Sequence, residues 1–400
     1  MESENKNQWK KHLPIYIIEV VVLIAVIIGA YFVSQATKVQ KVNLDQSKIA
    51  VNEPTHDHAD SDNDIQSENE GSQNSSTPKP SGKIEEAAEE SFEEEEEDID
   101  KEAITQSLIE KYNGNLSIAF FGVDSREGSL GAGTRSDSMM ICVVDSESHE
   151  IKLVSLYRDT YLNCGEDYYN KCNTAYALGG PERALSMINI NTDSYVNQYV
   201  TVGFEGLIGV IDALGGIPIE VKEEEIFHLN NYQKTMAEEF GTDYTPVVFA
   251  GTQILDGLQA TAYCRIRYTT GDDFRRAERQ RNVVSAILER AGHVSVGSLT
   301  KAVSAVFPHI ATSLDINDII SMLSVVEDYQ VTTSDGFPFK GLRNGGTIGS
   351  CGSCVVPTDL EQNVIKLHEI LYNEENYQVS DAVKKYSKKI KADTKDYLQY

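Results

Sequence analysis

The sequence has little positive charge for its length. It holds 35 lysine and arginine residues against 62 aspartate and glutamate residues among 400, which gives a formal net charge of -27. This balance excludes a basic nucleic-acid-binding surface of the usual kind. Much of the excess lies between Glu53 and Glu102, where 19 acids stand against three lysines. Such a segment cannot bury enough apolar surface to fold, which predicts a disordered acidic linker over residues 34–106.

The sequence also lacks the short motifs of several enzyme classes. It has no GxSxG elbow, no HExxH pair and no GxxxxGK loop, which argues against serine hydrolases, zincins and P-loop nucleotide enzymes. No second CxxC accompanies Cys351-Gly-Ser-Cys354, and the histidines show metal-ligand spacing only at His56 and His58, inside the acidic segment. A structural zinc site is therefore not favoured.

One long apolar run precedes the acidic segment. Leu13–Val33 has 21 residues and a single charge, Glu19, and as a helix it spans about 30 Å, enough for a hydrocarbon core. A cleaved signal peptide is less favoured, because no small-residue cleavage site follows Val33. We expect a single-pass signal anchor over residues 13–33, with residues 1–12 in the cytoplasm and the C-terminal domain outside the cell membrane.

The six cysteines are consistent with an oxidising compartment. Cys164 and Cys172 close a short loop, and Cys351 and Cys354 lie in a glycine-rich turn. These two pairs predict local disulfides, although six cysteines allow 15 pairings. The remaining two, Cys142 and Cys264, lie in apolar stretches and are expected to be bonded to each other or simply buried.

Regular hydrophobic patterns begin near Ser107. Short β-branched and aromatic runs predict strands at Leu116–Val123, Met139–Asp145, Ile151–Leu156 and Ile217–Val221. Helical spacing predicts helices at Phe204–Leu214, Arg275–Gly292, Ser298–Phe307, Ile316–Asp328 and Leu360–Tyr372. This mixture predicts a single layered α/β domain over residues 107–375, with a mixed central sheet flanked by helices. A polar, lysine-rich tail is expected over residues 376–400.

The arginines are gathered, whereas the lysines are scattered. Nine of the 12 arginines fall in three places. They are Arg126 and Arg135, then Arg158, then Arg265, Arg267, Arg275, Arg276, Arg279 and Arg281. Arginine suits planar, two-pronged recognition of phosphate and keeps its charge when partly desolvated. Local gathering of arginine in an acidic chain predicts an anion-binding site.

Two aspartates accompany the first arginines. Asp124 follows one predicted strand directly and Asp137 precedes the next, so both carboxylates are expected at one sheet edge. Carboxylates near a bound phosphate are what Mg²⁺ requires, since it takes one or two carboxylates and completes its shell with phosphate and water. The alternative is that both are turn or capping aspartates, with their arginines in surface ion pairs.

The third group of arginines surrounds a predicted helix start. Arg265 and Arg267 are two residues apart, so on an extended segment they face the same side. Asp273 is placed as the N-cap of the next helix, and Arg276 and Gln280 are one turn apart on one face. A helix N-terminus also favours a bound phosphate. A solvated charged face is the alternative, but it does not explain the choice of arginine over lysine.

These segments together resemble the LytR–CpsA–Psr family. The matching motifs are Asp124-Ser-Arg126, Arg135-Ser-Asp137, Arg158-Asp159, Ile211–Gly216, Leu255–Gly257, Arg265-Ile-Arg267 and Asp273–Arg276 with Arg279-Gln280. They run in order over residues 116–287, and the expected anchor and linker match as well. The sequence departs from the family at Leu156-Tyr157, where Ile-Pro is usual, and at Cys264, usually an aliphatic position.

The resemblance implies a membrane-anchored phosphotransferase of Gram-positive cell-wall assembly. Such an enzyme takes a glycopolymer (teichoic acid, capsular or other wall polysaccharide) from an undecaprenyl-pyrophosphate carrier. It joins the polymer to a peptidoglycan hydroxyl through a phosphodiester. The lipid tail would lie in an apolar channel lined by the predicted helix Phe204–Leu214 and neighbouring strands.

The resemblance also assigns roles to residues. Asp124 and Asp137 resemble ligands of Mg²⁺ (or Mn²⁺). The residues expected to bind substrate are Arg126, Arg135, Arg158, Arg265, Arg267, Arg276, Arg279 and Gln280. Catalysis is expected to involve Arg158, Arg267 and Arg276 together with Asp273, which resembles an acid that orients one of these arginines and acts on the incoming hydroxyl.

Two other functions fit the same residues. A polyprenyl pyrophosphatase would have nearly the same site, with water in place of the sugar hydroxyl, and the sequence does not separate it from a transferase. A non-catalytic regulator of wall synthesis that binds polyprenyl phosphates is less favoured. Two additional carboxylates would weaken phosphate binding unless they held a metal ion.

Overall fold

A computed structural model describes residues 40–41, 44–53, 100–112, 115–124, 129–267 and 272–398. The expected N-terminal segment 1–12, the expected anchor 13–33 and Arg126 lie outside these ranges. Within them, no helix combines the length and the apolar character needed to cross a membrane.

The strands form one large sheet and three small ones. In chain order they are β1 (Gln40–Lys41), β2 (Asn115–Val123), β3 (Ser136–Asp145), β4 (Glu150–Leu156), β5 (Tyr161–Asn163), β6 (Tyr169–Lys171), β7 (Gln198–Val202), β8 (Ile217–Val221), β9 (Gly251–Leu255), β10 (Ile310–Thr312), β11 (Gln330–Phe337), β12 (Arg343–Ile348) and β13 (Gly352–Pro357). The large sheet has the order β1-β10-β7-β2-β3-β4-β11. The sheet is mixed. Strand β3 runs antiparallel to both β2 and β4, whereas β7 pairs parallel with β2 and β11 pairs parallel with β4.

Helices cover both faces of this sheet. In chain order they are α1 (Lys101–Tyr112), α2 (Asn173–Thr192), α3 (Phe204–Ala213), α4 (Glu223–Phe240), α5 (Gly257–Arg265), α6 (Asp272–Ala291), α7 (Val296–Val306), α8 (Ile316–Val325), α9 (Leu360–Tyr372) and α10 (Asp381–Thr394). The alternation of side chains along β3 explains the two layers. Met139 and Ile141 pack into the core beneath α2, α9 and α10. Met140 and Cys142 pack into a second core on the opposite face, beside α6 and α7.

The element predictions are confirmed where hydrophobic periodicity is strong. The four predicted strands correspond to β2, β3, β4 and β8, and the five predicted helices to α3, α6, α7, α8 and α9, with ends that differ by up to three residues. The prediction of a layered α/β domain with a mixed sheet flanked by helices is therefore confirmed. Helix α2 was not predicted, because Gly179, Gly180 and Pro181 interrupt its pattern, and both glycines have non-helical backbone angles.

The predicted polar tail over residues 376–400 is instead largely a packed helix. In α10, Val383 and Ile390 are fully buried and belong to the same core as β3 and α2. Ser387 and Thr394 are buried on the same face. The apolar positions recur at helical spacing between the lysines, so the lysines lie on the outer face while one stripe packs against the domain.

The predicted linker over residues 34–106 is also partly packed. Ile49 is buried in the main core, and the amide of Asn52 donates to the carbonyl of Ile190 at 2.8 Å and to Asp193 at 2.6 Å. Helix α1 begins at Lys101, six residues before the expected domain start. The linker was predicted from the composition of the acidic block, and residues 44–53 were included in it although most of them are neutral. Residues 34–39, 42–43 and 54–99 of the predicted linker lie outside the described ranges.

The predicted disulfides are not formed, since all six cysteines are free thiols. The sulfur of Cys164 contacts the carbonyl of Lys171 at 3.4 Å, and that of Cys172 contacts two carbonyls at 3.3 Å. The short spacing of each pair along the chain had suggested disulfide bonds. In the structure, Cys164 and Cys172 are instead buried as small apolar side chains whose thiols are weak donors. Cys142 and Cys264 lie in different cores, so they are buried rather than bonded to each other.

Candidate functional site

Two carboxylates lie at one edge of the large sheet. Val123 is the residue of β2 that pairs with Ser136 of β3, and each is followed directly by an aspartate. Asp124 and Asp137 therefore lie at the same end of this antiparallel pair, as their sequence positions predicted. Both form part of the wall of a single cavity.

This cavity is largely apolar and has a volume of about 600 Å³. It lies between the sheet and the helices on one face, and α3 contributes Phe204, Leu207 and Val210, as expected for the helix Phe204–Leu214. Helix α1 contributes Leu108 and Tyr112. Among the described residues, the charged side chains in its wall are Asp124, Asp137, Arg265, Arg267 and Arg276, with Gln280 beside them. An apolar cavity with a few charged side chains in its wall, three of them arginines, suits an amphiphilic anion.

Arg158 connects the carboxylates near this cavity. It follows β4, and its Nη1 donates a hydrogen bond to Oδ1 of Asp137. Its Nε lies 3.6 Å from Oδ2 of Asp273 and 3.7 Å from Oδ2 of Asp159. Burial alone would lower the pKa of Arg158, but these carboxylates raise it above its ordinary value. The guanidinium is therefore firmly charged and holds Asp137 and Asp273 near each other.

Backbone hydrogen bonds fix the turn that carries Arg158. The carbonyl of Arg158 accepts from the Asn173 amide at 3.2 Å, and that of Asp159 accepts from the Val355 amide at 2.9 Å. The ammonium of Lys171 lies 3.1 Å from the Asp159 carboxylate. Lys171 was not identified from the sequence, because nothing in the chain pattern brings β6 to this turn.

The first turn of α6 supplies a second ion pair. Oδ1 of Asp273 lies 3.2 Å from Nη2 of Arg276, whose side chain is only 5% exposed. Asp273 is within the helix rather than at its N-cap, because α6 begins at Asp272. Burial, reinforced by the neighbouring Arg158, lowers the pKa of Arg276 to about 10, so its guanidinium stays charged near neutral pH. Burial would raise the pKa of Asp273, but Arg276 and Arg158 lower it, so the carboxyl is ionised.

Arg265 and Arg267 both reach the cavity, but not from an extended segment. Arg265 is the last residue of α5, and Ile266 caps that helix. Asp256 and Gln259 exchange hydrogen bonds that cap the start of α5. The helix then continues to Arg265. The guanidinium of Arg265 lies 4.6 Å from the centre of the Phe204 ring. Nη2 of Arg267 lies 3.7 Å from Oδ2 of Asp137.

Three of the predicted substrate-binding arginines that the structure describes are not in the cavity wall: Arg158, which lies near it, and Arg279 and Arg135. Arg279 is buried on another side of α6, where its Nε donates to Oε1 of Glu225 at 2.7 Å and its Nη1 to the carbonyl of Ile266 at 3.1 Å. Three residues along a helix rotate a side chain about 60° away from Arg276, which is enough to turn Arg279 toward α4. Arg135 is exposed on the loop before β3. The remaining arginine of the first group, Arg126, lies outside the described residues.

Several guanidinium nitrogens near the cavity are buried without a hydrogen bond. Within the described part of the chain they include Nε of Arg158, Nε of Arg276 and Nη1 of Arg265. Buried donors are normally satisfied, so such groups indicate a missing acceptor. Phosphate oxygens are suitable acceptors for guanidinium groups.

Asp124 and Asp137 have the chemistry of a magnesium site. Both present hard carboxylate oxygens at one sheet edge beside the arginines, and Mg²⁺ needs only one or two such ligands when phosphate and water complete its shell. The described residues contain no cluster of three or more His, Cys, Asp or Glu side chains suited to a metal ion. The donor set therefore fits a phosphate-assisted Mg²⁺ site rather than a site built from protein ligands alone.

A known family model covers the part of the chain that carries these site residues. The model of the LytR_cpsA_psr family matches residues 81–345. A polyisoprenyl-teichoic acid–peptidoglycan teichoic acid transferase, TagU of Enterococcus faecalis, is 30% identical over 54% of this chain and 66% of its own length. Biofilm regulatory protein A of Streptococcus mutans is 32% identical over 50% of each chain. The aligned regions thus span less than two thirds of these curated relatives.

Solved structures show the same fold. The structure of TagT bound to LIIa-WTA has a TM-score of 0.52 and 21% identity, covering 65% of this chain and 90% of that one. TagT is a Bacillus subtilis protein. At this identity the likeness concerns the fold of the domain.

Proposed function

Because the chain belongs to the LytR–CpsA–Psr family, we propose that it is a phosphotransferase acting on a lipid-linked glycopolymer. The donor would be a teichoic acid, or a capsular or other wall polysaccharide, on undecaprenyl pyrophosphate, and the acceptor a peptidoglycan hydroxyl. The name of the TagU relative, a polyisoprenyl-teichoic acid–peptidoglycan teichoic acid transferase, favours teichoic acid.

One observation carries this proposal: a largely apolar cavity has arginine and aspartate side chains in its wall. The arginines Arg265, Arg267 and Arg276 line the same cavity as aliphatic side chains from α3 and α7. A diphosphate with a hydrocarbon tail is the ligand class that needs both environments at once. The arginines would bind the diphosphate, and the apolar wall would bind the polyprenyl tail.

The reaction would proceed by positioning and charge neutralisation. The acceptor hydroxyl attacks the phosphorus that carries the glycopolymer, a new oxygen–phosphorus bond forms, and the bond to the bridging oxygen breaks. Negative charge then grows on the departing polyprenyl phosphate, and Arg265, Arg267 and Arg276 lie where they would stabilise it. As the new bond forms, the hydroxyl gives up its proton, which would pass to the departing polyprenyl phosphate.

Asp273 would orient Arg276 and the incoming hydroxyl rather than act as a strong base on that hydroxyl. Its pKa is lowered by Arg276 and Arg158, despite burial, so it is ionised but a weak base. An efficient general base has a pKa nearer the working pH. Asp273 would therefore hold Arg276 in place and accept a hydrogen bond from the incoming hydroxyl, while the charge of Arg158 keeps it near Asp137.

We also propose that Asp124 and Asp137 hold Mg²⁺ (or Mn²⁺), which when bound neutralises charge on the diphosphate. Asp137→Asn should raise the Mg²⁺ concentration for half-maximal rate about tenfold or more, because one anionic ligand is lost. Asp145→Asn, at the other end of β3, serves as the control. An unchanged metal titration in Asp137→Asn would remove this residue from the proposed site.

The direct test of the proposed function is a transfer assay with lipid-diphosphate-linked glycopolymer and a peptidoglycan acceptor. Wild type should form a product in which both are joined. Arg267→Lys keeps the charge but loses the planar fork, so kcat/KM should fall about 100-fold. Arg290→Lys is the control, since Arg290 binds the Leu214 carbonyl from the C-terminal end of α6.

Two outcomes of this assay would replace the proposal. Release of glycopolymer phosphate to water, with no joined product, would identify a pyrophosphatase. Lipid binding without turnover would identify a regulator, the role that the name of Biofilm regulatory protein A suggests for that relative.

The membrane attachment is part of the same proposal. Residues 13–33 would anchor the chain in the cell membrane, with the α/β domain on the outer side. The long apolar run and a lipid-linked donor support this arrangement. Protease added to intact protoplasts should then digest the domain, and protection from the protease would contradict it.

A further inference from the structure

Beside the charged site lies a cluster of Tyr157, Phe274 and Arg343, here called the aromatic–arginine cluster. The rings of Tyr157 and Phe274 meet edge to face, with centroids 4.6 Å apart. The guanidinium of Arg343 lies 4.1 Å from the centroid of Phe274 and 4.8 Å from that of Tyr157. Contacts of this geometry are attractive and directional. The three side chains therefore fix one another's positions.

Surrounding contacts hold this cluster in place. Nη1 of Arg343 donates to the carbonyl of Pro338 at 2.8 Å and lies 3.4 Å from the hydroxyl of Tyr157. The Tyr157 amide donates to the carbonyl of Phe337 at 3.0 Å. Glycine is needed at Gly336, because a Cβ there would lie 2.1 Å from the Tyr157 hydroxyl. The ring of Tyr157 thus has one well-defined place against β11.

Each ring is next in the chain to a residue of the charged site. Tyr157 precedes Arg158, and Phe274 follows Asp273. The two chain segments are consequently joined twice, by the ring contact and by the ion pair between Arg158 and Asp273 at 3.6 Å. A 3.6 Å ion pair between partly exposed groups does not by itself fix the orientation of the two side chains. The packed rings supply the rigidity that the ion pair lacks.

We propose that Arg343 is a positioning residue that acts through Tyr157 and Phe274 to hold Arg158 against Asp273. The inference rests on the proposed phosphotransferase function and concerns how the same site is set. It also accounts for Tyr157 at the position where the family usually has proline. Proline would fix the turn through its ring, whereas this chain fixes the turn by packing the Tyr157 side chain.

Arg343→Met tests the proposal, with Lys366→Met as a matched control. Lys366, on α9, makes a similar cation–ring contact with Phe339, at 4.8 Å. Arg343→Met should lower kcat about tenfold, because small misplacements of reacting groups are costly. The KM for the lipid donor should stay within about twofold, because Arg343 is not in the cavity wall. Lys366→Met should leave both constants unchanged, at a comparable loss of thermal stability.

A double-mutant comparison separates positioning from general stability. In an Asp273→Asn background, Arg343→Met should cost little further rate, because the carboxylate against which it holds Arg158 is already gone. Full additivity of the two losses, or an unchanged kcat in Arg343→Met, would overturn the inference. Phe274→Leu should behave like Arg343→Met, and Phe274→Tyr should retain most of the rate, because it keeps the ring.

A second readout does not depend on activity. Crystal structures of wild type and Arg343→Met should show Nε of Arg158 and Oδ2 of Asp273 farther apart in the variant by about 1 Å or more. An unchanged separation would contradict the inference whatever the rate. Failure of wild type to transfer glycopolymer would instead contradict the proposed function and leave this structural comparison decisive.

Discussion

At the scale of single residues, Arg158 couples the charges of the site. Three carboxylates lie within ion-pair distance of its guanidinium, namely those of Asp137, Asp159 and Asp273. Like charges this close would repel one another without the arginine. Arg158 therefore allows the three acids to lie close together beside the cavity.

Arg279 has a different task, which is to hold the segment that carries Arg265 and Arg267. Its ion pair with Glu225 is almost fully buried, and its second hydrogen bond goes to Ile266, between Arg265 and Arg267. Arg279→Met should destabilise the domain by about 3 kcal/mol, because it leaves the Glu225 carboxylate buried without this partner. Urea unfolding measures the change in the free energy of unfolding.

Two variants serve as controls for this residue. Arg275→Met breaks an exposed pair with Glu278 on the same helix and should cost less than about 1 kcal/mol. The double variant Arg279→Met with Glu225→Gln should be more stable than Arg279→Met alone, since no charge is left unpaired. Equal costs for the Arg275 and Arg279 variants would show that the buried pair contributes nothing particular.

The sequence predicted which types of residue gather near the site better than it predicted where each side chain points. The gathering of arginine pointed to Arg265, Arg267 and Arg276, all of which line the cavity. It also pointed to Arg279, which does not, because pairing with Glu225 joins positions far apart in the chain. No spacing rule contains that contact. The same limit explains why Lys171 and Arg343 were not identified.

At the scale of elements, α10 shows how composition can mislead. Lysines dominate this helix, yet its apolar stripe completes the core beneath α2 and α9. Ile390→Ala should lower the free energy of unfolding by about 3 kcal/mol, because the side chain is fully buried. Lys388→Ala on the exposed face should change it by less than about 0.5 kcal/mol. Urea unfolding that gives equal values for the two variants would mean that α10 does not pack against the domain.

The elements that the sequence located are those with a continuous apolar run or one apolar helical face. Strands β2, β3 and β4 carry continuous apolar runs, and β3 and β4 are buried on both faces, so these strands were predicted nearly to their ends. The segment at Arg265 was predicted to be extended, although Arg265 is the last residue of α5. The start of this helix depends on the capping box between Asp256 and Gln259 rather than on hydrophobic periodicity. Local caps of this kind decide boundaries that hydrophobic pattern alone does not.

At the scale of the whole molecule, residues on both sides of the acidic stretch 54–99 belong to the domain. Asn52 is hydrogen-bonded to α2, and α1 contributes to the cavity wall. Only residues 34–39 then separate the expected anchor from the first residue of the large sheet, Gln40. Six residues extend to at most about 22 Å. An anchor at residues 13–33 would hold the domain close to the membrane surface, where a lipid-linked donor resides.

The central claim is that the gathered arginines and the apolar cavity bind one lipid diphosphate. A crystal structure of the domain with a polyprenyl diphosphate tests it most directly. The account predicts diphosphate oxygens within hydrogen-bond distance of Arg265, Arg267, Arg276 and Gln280, with the hydrocarbon tail inside the cavity. A diphosphate bound away from these side chains, or a tail lying outside the cavity, would contradict it.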